Sequence, residues 1–245
     1  MSRLPYLRVL IDPVASSGAW NMAVDEALLE SAITDNVATL RWYQWREPTV
    51  SLGYFQKSAD LVDNDSIAGL PVVRRLTGGG AILHDNELTY SICLPASQSL
   101  FAQPHELYDI VHLAIIGSLR QLDFPVTLRG STWKRPDEPL LCFQRQDAHD
   151  VTLNGQKILG SAQRRRRGAI MEHGSLIRKS SEHAPQILGL QDLISVSLPE
   201  NLATILTVSV ADAVAEAWSI GNLTESEIAL CQNLEKVYCT NMQVR

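Results

Sequence analysis

The chain has 245 residues, 45% hydrophobic and 20% charged, and its 21 Lys and Arg against 27 Asp and Glu leave a net charge of -6. That length buries a full core, while the acidic balance argues against a general binder of DNA or RNA, which needs basic surface to displace counterions from phosphates. Cys93, Cys142, Cys231 and Cys239 form neither a C-x-x-C pair nor a zinc spacing, the N-terminus has no apolar signal core, and no run approaches the roughly 18 apolar residues of a membrane helix, so a protein of the reducing cytoplasm with no metal and no membrane contact is expected.

Residues 7–11 read as a strand that Asp12-Pro13 breaks. A helix is predicted over 19–33, where Met22, Ala23, Ala27, Leu28 and Ile33 recur at helical spacing. This pattern puts Asp25, Glu26 and Glu30 on a solvated face. Strands follow at 39–43 and 50–53 about the turn Glu47-Pro48. Trp42, Tyr43, Trp45, Tyr54 and Phe55 crowd here in a chain only 6% aromatic; core packing or an apolar ligand slot accounts for such a cluster.

Arg74-Arg75-Leu76-Thr77-Gly78-Gly79-Gly80-Ala81-Ile82-Leu83-His84-Asp85 is the stretch around which the chain is organised. Strands at 72–75 and 88–94 flank it, so it links two strands. It matches neither a dinucleotide fingerprint, which opens a helix, nor a P-loop, which carries Gly-Lys and then Ser or Thr. Its glycines present bare backbone N–H groups to an anion or a carbonyl oxygen, with Arg74 or Arg75 as countercharge; the alternative is a hairpin whose glycines only supply positive φ.

A helix is predicted over 104–122 and a polar surface loop over 129–139, delivering the chain to Leu140-Leu141-Cys142-Phe143. Asn154-Gly155 is a strong hairpin signal that sets 153 opposite 156, 152 opposite 157 and 151 opposite 158. Val151, Leu153 and Ile158 then share the core face, and Lys157 points with Thr152 to the other side, into solvent or a cleft. The small residues Gly160-Ser161-Ala162 leave room for something to approach. Arg164 to Arg167 form a run of four positive charges, either a solvated loop or a landing patch for an acidic partner. A strand at 171–177 carries His173-Gly174-Ser175. Beyond Pro185 the chain reads as helical, with an apolar stripe over 202–218 and a capping box at Thr224-x-x-Glu227 opening a last helix. One domain over 1–245 is expected, its 185–245 part mainly helical.

Six segments together resemble the lipoate-protein ligase and octanoyltransferase family. They are Asn21-Met22-Ala23-Val24-Asp25-Glu26-Ala27-Leu28, Pro48 to Gln56, Arg74 to Asp85, Leu88-Thr89-Tyr90-Ser91, Gly155 to Gln163 and His173-Gly174-Ser175, in the family's order. The resemblance implies an α/β (α+β) fold, a mixed β-sheet with flanking helices, of the biotin and lipoate protein ligase catalytic domain related to class II aminoacyl-tRNA synthetases. It implies an acyl site built from Arg74, Arg75, Thr77, Gly78, Gly79, Gly80, His84, Gly160, Ser161, Ala162, His173 and Gly174, with Lys157 on the acyl carbonyl. Cys142-Phe143 resembles the Cys-Phe of the cysteine-dependent octanoyltransferases, where this cysteine carries the acyl group; read without the family, a lone Cys is more often a small buried apolar residue.

Two chemistries then compete. A transferase takes octanoyl from acyl carrier protein through a Cys142 thioester, without cofactor, and delivers it to a lysine of a lipoyl domain such as glycine cleavage H protein or a dehydrogenase E2 subunit. A ligase uses ATP and Mg to activate free lipoate as an adenylate. The Gly78-Gly79-Gly80 triplet looks more like the ligase form. A non-catalytic acyl-binding relative is a third alternative. Lys157 and backbone N–H groups would hold the oxyanion, and His149 is a candidate base for the thiol.

Overall fold

The computed structural model describes residues 3–57, 65–96, 104–130 and 140–240. Residues 131–139, most of the expected polar loop, lie outside them. Among the described residues no helix is long and apolar enough to cross a membrane.

The framework is an eight-stranded mixed sheet. Its strands in chain order are β1 (Leu7–Ile11), β2 (Thr39–Tyr43), β6 (Glu87–Leu94), β7 (Thr127–Leu128), β8 (Val151–Leu153), β9 (Gln156–Arg166), β10 (Ala169–Ile177) and β11 (Trp218–Ile220). Spatially they run β11-β1-β2-β6-β10-β9-β8-β7. A smaller sheet, β4-β3-β5, is made of β3 (Thr49–Leu52), β4 (Val72–Arg74) and β5 (Ile82–His84). The helices are α1 (Gly18–Thr34), α2 (Pro104–Gln121), α3 (Leu190–Leu193), α4 (Leu202–Val214) and α5 (Glu225–Thr240).

Both faces of the large sheet are covered, and the period of two sorts the side chains. Leu7, Val9, Ile92, Leu94 and Ile170 join Val111 and Ile115 of α2 and Leu206 and Val210 of α4 in the main core. The intervening Leu10, Cys93 and Met171 meet Leu28 of α1 and Cys231 of α5 on the opposite face. The last stripe is two elements: α4 stops at Val214, and Trp218–Ile220 adds β11 parallel to β1. The capping box at the start of α5 forms as read, with Glu227 N–H donating to Thr224 Oγ1 (3.2 Å) and Thr224 N–H to Glu227 Oε2 (2.8 Å).

Three local expectations are corrected. The glycine stretch is not a hairpin, because β4 and β5 flank β3 on opposite sides, parallel and antiparallel to it, and do not pair with each other. The Arg164 to Arg167 run is not simply a solvated loop: it begins in β9, where Arg164 stacks 4.5 Å over Tyr54 and Arg166 pairs with Glu26 and Glu30. Asp25 is not on a solvated face. α1 lies between the sheet and α5, and Asp25 is only 1% exposed, bonded to Arg41 (2.9 Å), Tyr43 Oη (2.8 Å) and Ser91 Oγ (2.8 Å). Burial opposes its charge, but His173 and Arg41 outweigh that and hold the carboxyl below its usual range.

Removing one partner of such a buried pair strands the other charge. Asp25→Ala should therefore cost about 3–5 kcal/mol of stability by denaturant unfolding, while Glu30→Ala, on the partly exposed edge of α1, should cost under about 1 kcal/mol. Equal effects would refute this placement.

Candidate active site

The Asn154-Gly155 hairpin sets Leu153 opposite Gln156 and Thr152 opposite Lys157, as the turn demands, but Val151 falls opposite Leu159 rather than 158 because a bulge separates Val151 from Thr152. The bulge lets Val151, Leu153, Ile158 and Leu159 all enter the main core. Lys157 turns the other way, into a cleft: it is 8% exposed, and its Nζ lies 2.7 Å from Asp150 Oδ1. A Cβ on Gly160 would sit 2.3 Å from Lys157 Cε and 2.7 Å from Nζ, so the ammonium occupies space that only glycine leaves free.

Cys142 arrives from another direction. Ala81 N–H donates to Leu140 O (3.0 Å) and Cys142 N–H to Ala81 O (2.7 Å), which fastens the cysteine segment along the chain that leaves the glycine turn. The turn 142–144 is a single 3-10 turn with Phe143 buried and Cys142 partly open. Cys142 Sγ then stands 4.0 Å from Lys157 Nζ, which also lies 3.4 Å from Cys142 O and 5.3 Å above the Phe143 ring. Sulfur and ammonium, 15 residues apart in sequence, are neighbours.

Arg75 holds the glycine turn. It is 1% exposed and donates to the carbonyls of Ser51 (2.9 Å), Gly78 (2.6 Å) and Gly80 (2.6 Å), while its Nε has no acceptor among the described residues. Burial pushes its guanidinium down to about 10, which keeps it charged at neutral pH. Gly79 adopts φ +91, and a Cβ there would lie 3.9 Å from Cys142 Sγ. Thr77 Oγ1 and His173 Nε2, 2.7 Å apart, tie the turn to β10. His84 stacks on Trp45 at 3.8 Å and bridges Ser51 Oγ (2.7 Å) and Glu87 Oε1 (2.6 Å).

These pieces border a pocket that opens to solvent. Of the residues expected in the site, Cys142, Arg75, His84, Gly160, Ser161, Ala162, His173 and Gly174 line it, with an apolar complement of Met22, Tyr43, Trp45, Ile82 and Phe143. The aromatic cluster is thereby divided: Tyr43 and Trp45 form the slot, Trp42 joins the core, and Phe55 is 81% exposed. Thr77, Gly78, Gly79, Gly80 and Lys157 are not among its lining residues, though Lys157 Nζ lies 4.0 Å from the sulfur of Cys142, which is. Arg74 is turned elsewhere, donating to the carbonyls of Gly53, Tyr54 and Gln56.

His149 is not brought to the cysteine. Its Nδ1 is 2.8 Å from Asp109 Oδ1 and its ring stacks on His105 and Tyr108 of α2. Asp150 is the residue that reading the chain missed. It precedes β8, two residues before Thr152, and its carboxylate lies 2.7 Å from Lys157 Nζ. Burial pushes the Asp150 carboxyl up against the pull of that ammonium. Glu172 and His112 were missed as well. Both are buried behind Ser161: Glu172 accepts from Tyr90 Oη (2.7 Å) and Gln163 Nε2 (2.8 Å), and His112 Nε2 is 2.8 Å from Ser161 Oγ. Isolated polar residues within apolar strand and helix patterns carry no local mark of such a role.

Residues 17–213 match the sequence model of the lipoyl protein ligase A/B catalytic domain. The chain is 40% identical over 173 residues to octanoyltransferase LipM of Carboxydothermus hydrogenoformans, covering 69% of this chain and 64% of that one, so it spans somewhat under two thirds of that relative's length. It is 32% identical over 263 residues to octanoyltransferase LipM of Kyrpidia tusciae, covering 91% and 92%. Among solved structures, lipoate-protein ligase A bound with ATP superposes with a TM-score of 0.76 at 22% identity, covering 99% and 100%.

Burial pushes the Glu172 carboxyl up to about 7, only partly countered by Gln163 and Tyr90. For a carboxyl whose native pKa is raised, the unfolded chain ionises first as pH climbs, so stability is lost from about pH 4.5 up to about 7. Glu172→Gln should remove that loss and, by urea unfolding, gain on the order of 3 kcal/mol on the parent between pH 5 and pH 8. An unchanged difference across that range would show that the carboxyl is not neutral in the native state.

Proposed function

Because the chain belongs to the lipoyl protein ligase A/B catalytic-domain family, we propose that it transfers an octanoyl or lipoyl group to one lysine of a lipoyl domain, taking octanoyl from acyl carrier protein through a thioester on Cys142. The carrying observation is the sulfur of Cys142 on the wall of an apolar cavity, 4.0 Å from a buried ammonium. The names of the relatives, octanoyltransferase LipM, favour the same reading.

In the first half-reaction the Cys142 thiolate attacks the carbonyl carbon of the donor thioester. A new C–S bond forms, the carbonyl oxygen gains negative charge within reach of Lys157 Nζ, and collapse expels the carrier's thiolate. One thioester replaces another, so the step is nearly isoenergetic. In the second, the acceptor lysine's neutral amine attacks; the C–N bond forms, the C–S bond breaks, and the departing sulfur takes the amine proton. An amide is more stable than a thioester, which drives the sequence forward. Met22, Tyr43, Trp45, Ile82 and Phe143 give the acyl tail an apolar bed. Arg75 Nε–H, without an acceptor among the described residues, is a second donor available to the acyl oxygen. Activation is already present in the donor thioester, so no nucleotide or metal takes part. We assign the reaction to the cytoplasm, where a free thiol persists. The acceptor is a lipoyl domain of the glycine cleavage H protein or E2 kind.

The test is lipoyl-domain modification with octanoyl-loaded carrier protein and no ATP. The parent should be active, Cys142→Ala should lose at least about 10³-fold, and Lys157→Met about 10²-fold to 10³-fold. Gly160→Ala, which collides with Lys157, should fall between parent and Lys157→Met. Activity only with free lipoate, ATP and Mg, indifferent to Cys142→Ala, would instead establish the ligase chemistry. A folded protein inactive in both assays would be an acyl-binding relative.

A further inference from the structure

β5 is an edge strand, since the small sheet runs β4-β3-β5 and β5 has β3 on one side only. The register says which of its backbone groups face outward. Val50 of β3 spends its N–H on Pro71 O beside β4 (2.8 Å), so Val50 and its partner Leu83 are a pair with no hydrogen bonds between them. Leu83 N–H and C=O therefore point away from β3. Two residues earlier Ala81 points the same way, and there both groups are used, the N–H by Leu140 O and the carbonyl by Cys142 N–H. The cysteine segment thus lies along β5 as a parallel neighbour for a single bridge, and then curls into its 3-10 turn. The next outward pair, Leu83 N–H and C=O, has no hydrogen-bond partner among the described residues, although Leu83 is only 7% exposed. Backbone groups so nearly covered are seldom left unpaired.

This edge borders a second pocket. The consecutive residues Ala81, Ile82 and Leu83 line it, as they do where a strand is met edge-on, because either face would show only every second residue. Phe143, Ile177 and Lys179 are on its other sides. Ile82 and Phe143 also border the pocket that Cys142 lines, so the two abut beside the reacting sulfur. With the acyl tail in the first pocket, the rest of a donor thioester leads away from it, toward the second.

A carrier protein presents its acyl group on a phosphopantetheine arm. Reading outward from its sulfur, the arm carries an amide, a two-carbon spacer and a second amide, so the first carbonyl precedes the second N–H. Leu140 O and Cys142 N–H meet Ala81 in that same order. Leu83 lies about 7 Å further along the strand, a distance over which a lysine arm offers only methylenes. Resting on the cysteine reading above, we propose that the donor's pantetheine arm adds to β5 as a short parallel strand, its first amide carbonyl accepting from Leu83 N–H and its second amide N–H donating to Leu83 O. The Leu83 side chain joins a small core cluster with Val50, Leu52 and Leu141, which leaves recognition to its main chain.

A donor series tests this in the parent chain, with acyl loading of Cys142 followed by intact mass. The donors are octanoyl-pantetheine, octanoyl-N-acetylcysteamine, which keeps only the inner amide on the same kind of thiol, and an octanoyl-pantetheine whose outer amide is an ester. Octanoyl-pantetheine should load with a second-order rate constant about 3- to 10-fold above the other two. Leu83→Pro removes the N–H without breaking a ladder bond, which an edge strand tolerates, and Leu83→Ala shortens the same side chain with both groups kept. Leu83→Pro should load at least about threefold more slowly than Leu83→Ala, while the two preloaded enzymes transfer to a lipoyl domain at equal rates. Should Leu83→Pro fail to fold, the donor series alone decides. Equal loading by the three donors, or a Leu83→Pro defect shared by loading and transfer, would overturn the inference while leaving the Cys142 thioester standing. A defect confined to transfer would overturn it in favour of the acceptor's lysine arm. No adduct in the parent chain with octanoyl-loaded carrier protein would overturn the cysteine reading itself, and this inference with it.

Discussion

The ion pair between Lys157 Nζ and Asp150 Oδ1, 2.7 Å long with both side chains about 5% exposed, is the constraint on which the site depends. An ammonium held this far from water is stable only beside a counterion; losing either partner of such a pair costs about 3–5 kcal/mol, whereas a surface pair is worth under about 1 kcal/mol. The hairpin supplies the two ends from β9 and from the residue entering β8, the bulge sets their register, and Gly160 leaves the room. The consequence is directional. The ammonium is prevented from reaching solvent and is held next to Cys142, so it meets the sulfur and whatever carbonyl the sulfur attacks without a reorganisation step.

Around that pair the protein spends its polar groups on one another and leaves the cavity wall largely apolar. Arg75 is occupied by the carbonyls of Ser51, Gly78 and Gly80; Glu87 by His84, Thr89 and Ser175; Asp25 by Arg41, Tyr43 and Ser91. His84 and Glu87 answer each other so closely that, although burial opposes its charge, the Glu87 carboxyl stays below its usual range. Buried charge networks of this kind gain little net stability over apolar packing, but each permits few arrangements. Their effect here is geometric. They hold the glycine turn, β5 and β10 in one relation, and the cysteine segment, hydrogen-bonded to Ala81, takes its position from them.

Much of this was legible from local signals. The Asn154-Gly155 turn dictates that Lys157 and Thr152 face away from Val151 and Leu153, and the capping box at Thr224 opens α5 where it should. What was hidden depends on tertiary contact. Asp25 sits in a helical pattern whose acids look solvated, because nothing in the spacing shows that Arg41 and Tyr43 of β2 and Ser91 of β6 will face it from the sheet. β11 is three residues beside β1, too short for its period to stand out from the helical stripe before it. The role of Asp150 rests on its contact with Lys157 across the hairpin, which an acid just outside a strand does not announce. The glycine turn could be recognised as important, but its partners across β3 could not, since a parallel pairing between β3 and β4 is settled by the sheet and not by a turn.

The account stands or falls on where the acyl group rests between donor and acceptor. Peptide mapping by mass spectrometry of the full chain, quenched in acid after a brief exposure to octanoyl-loaded carrier protein without nucleotide, locates it directly. A single octanoyl group on the peptide containing Cys142, labile to neutral hydroxylamine as a thioester is, is the predicted result. Transfer to the lipoyl domain with no modified Cys142 at any time point, or an acyl group stable to hydroxylamine on another residue, would contradict it.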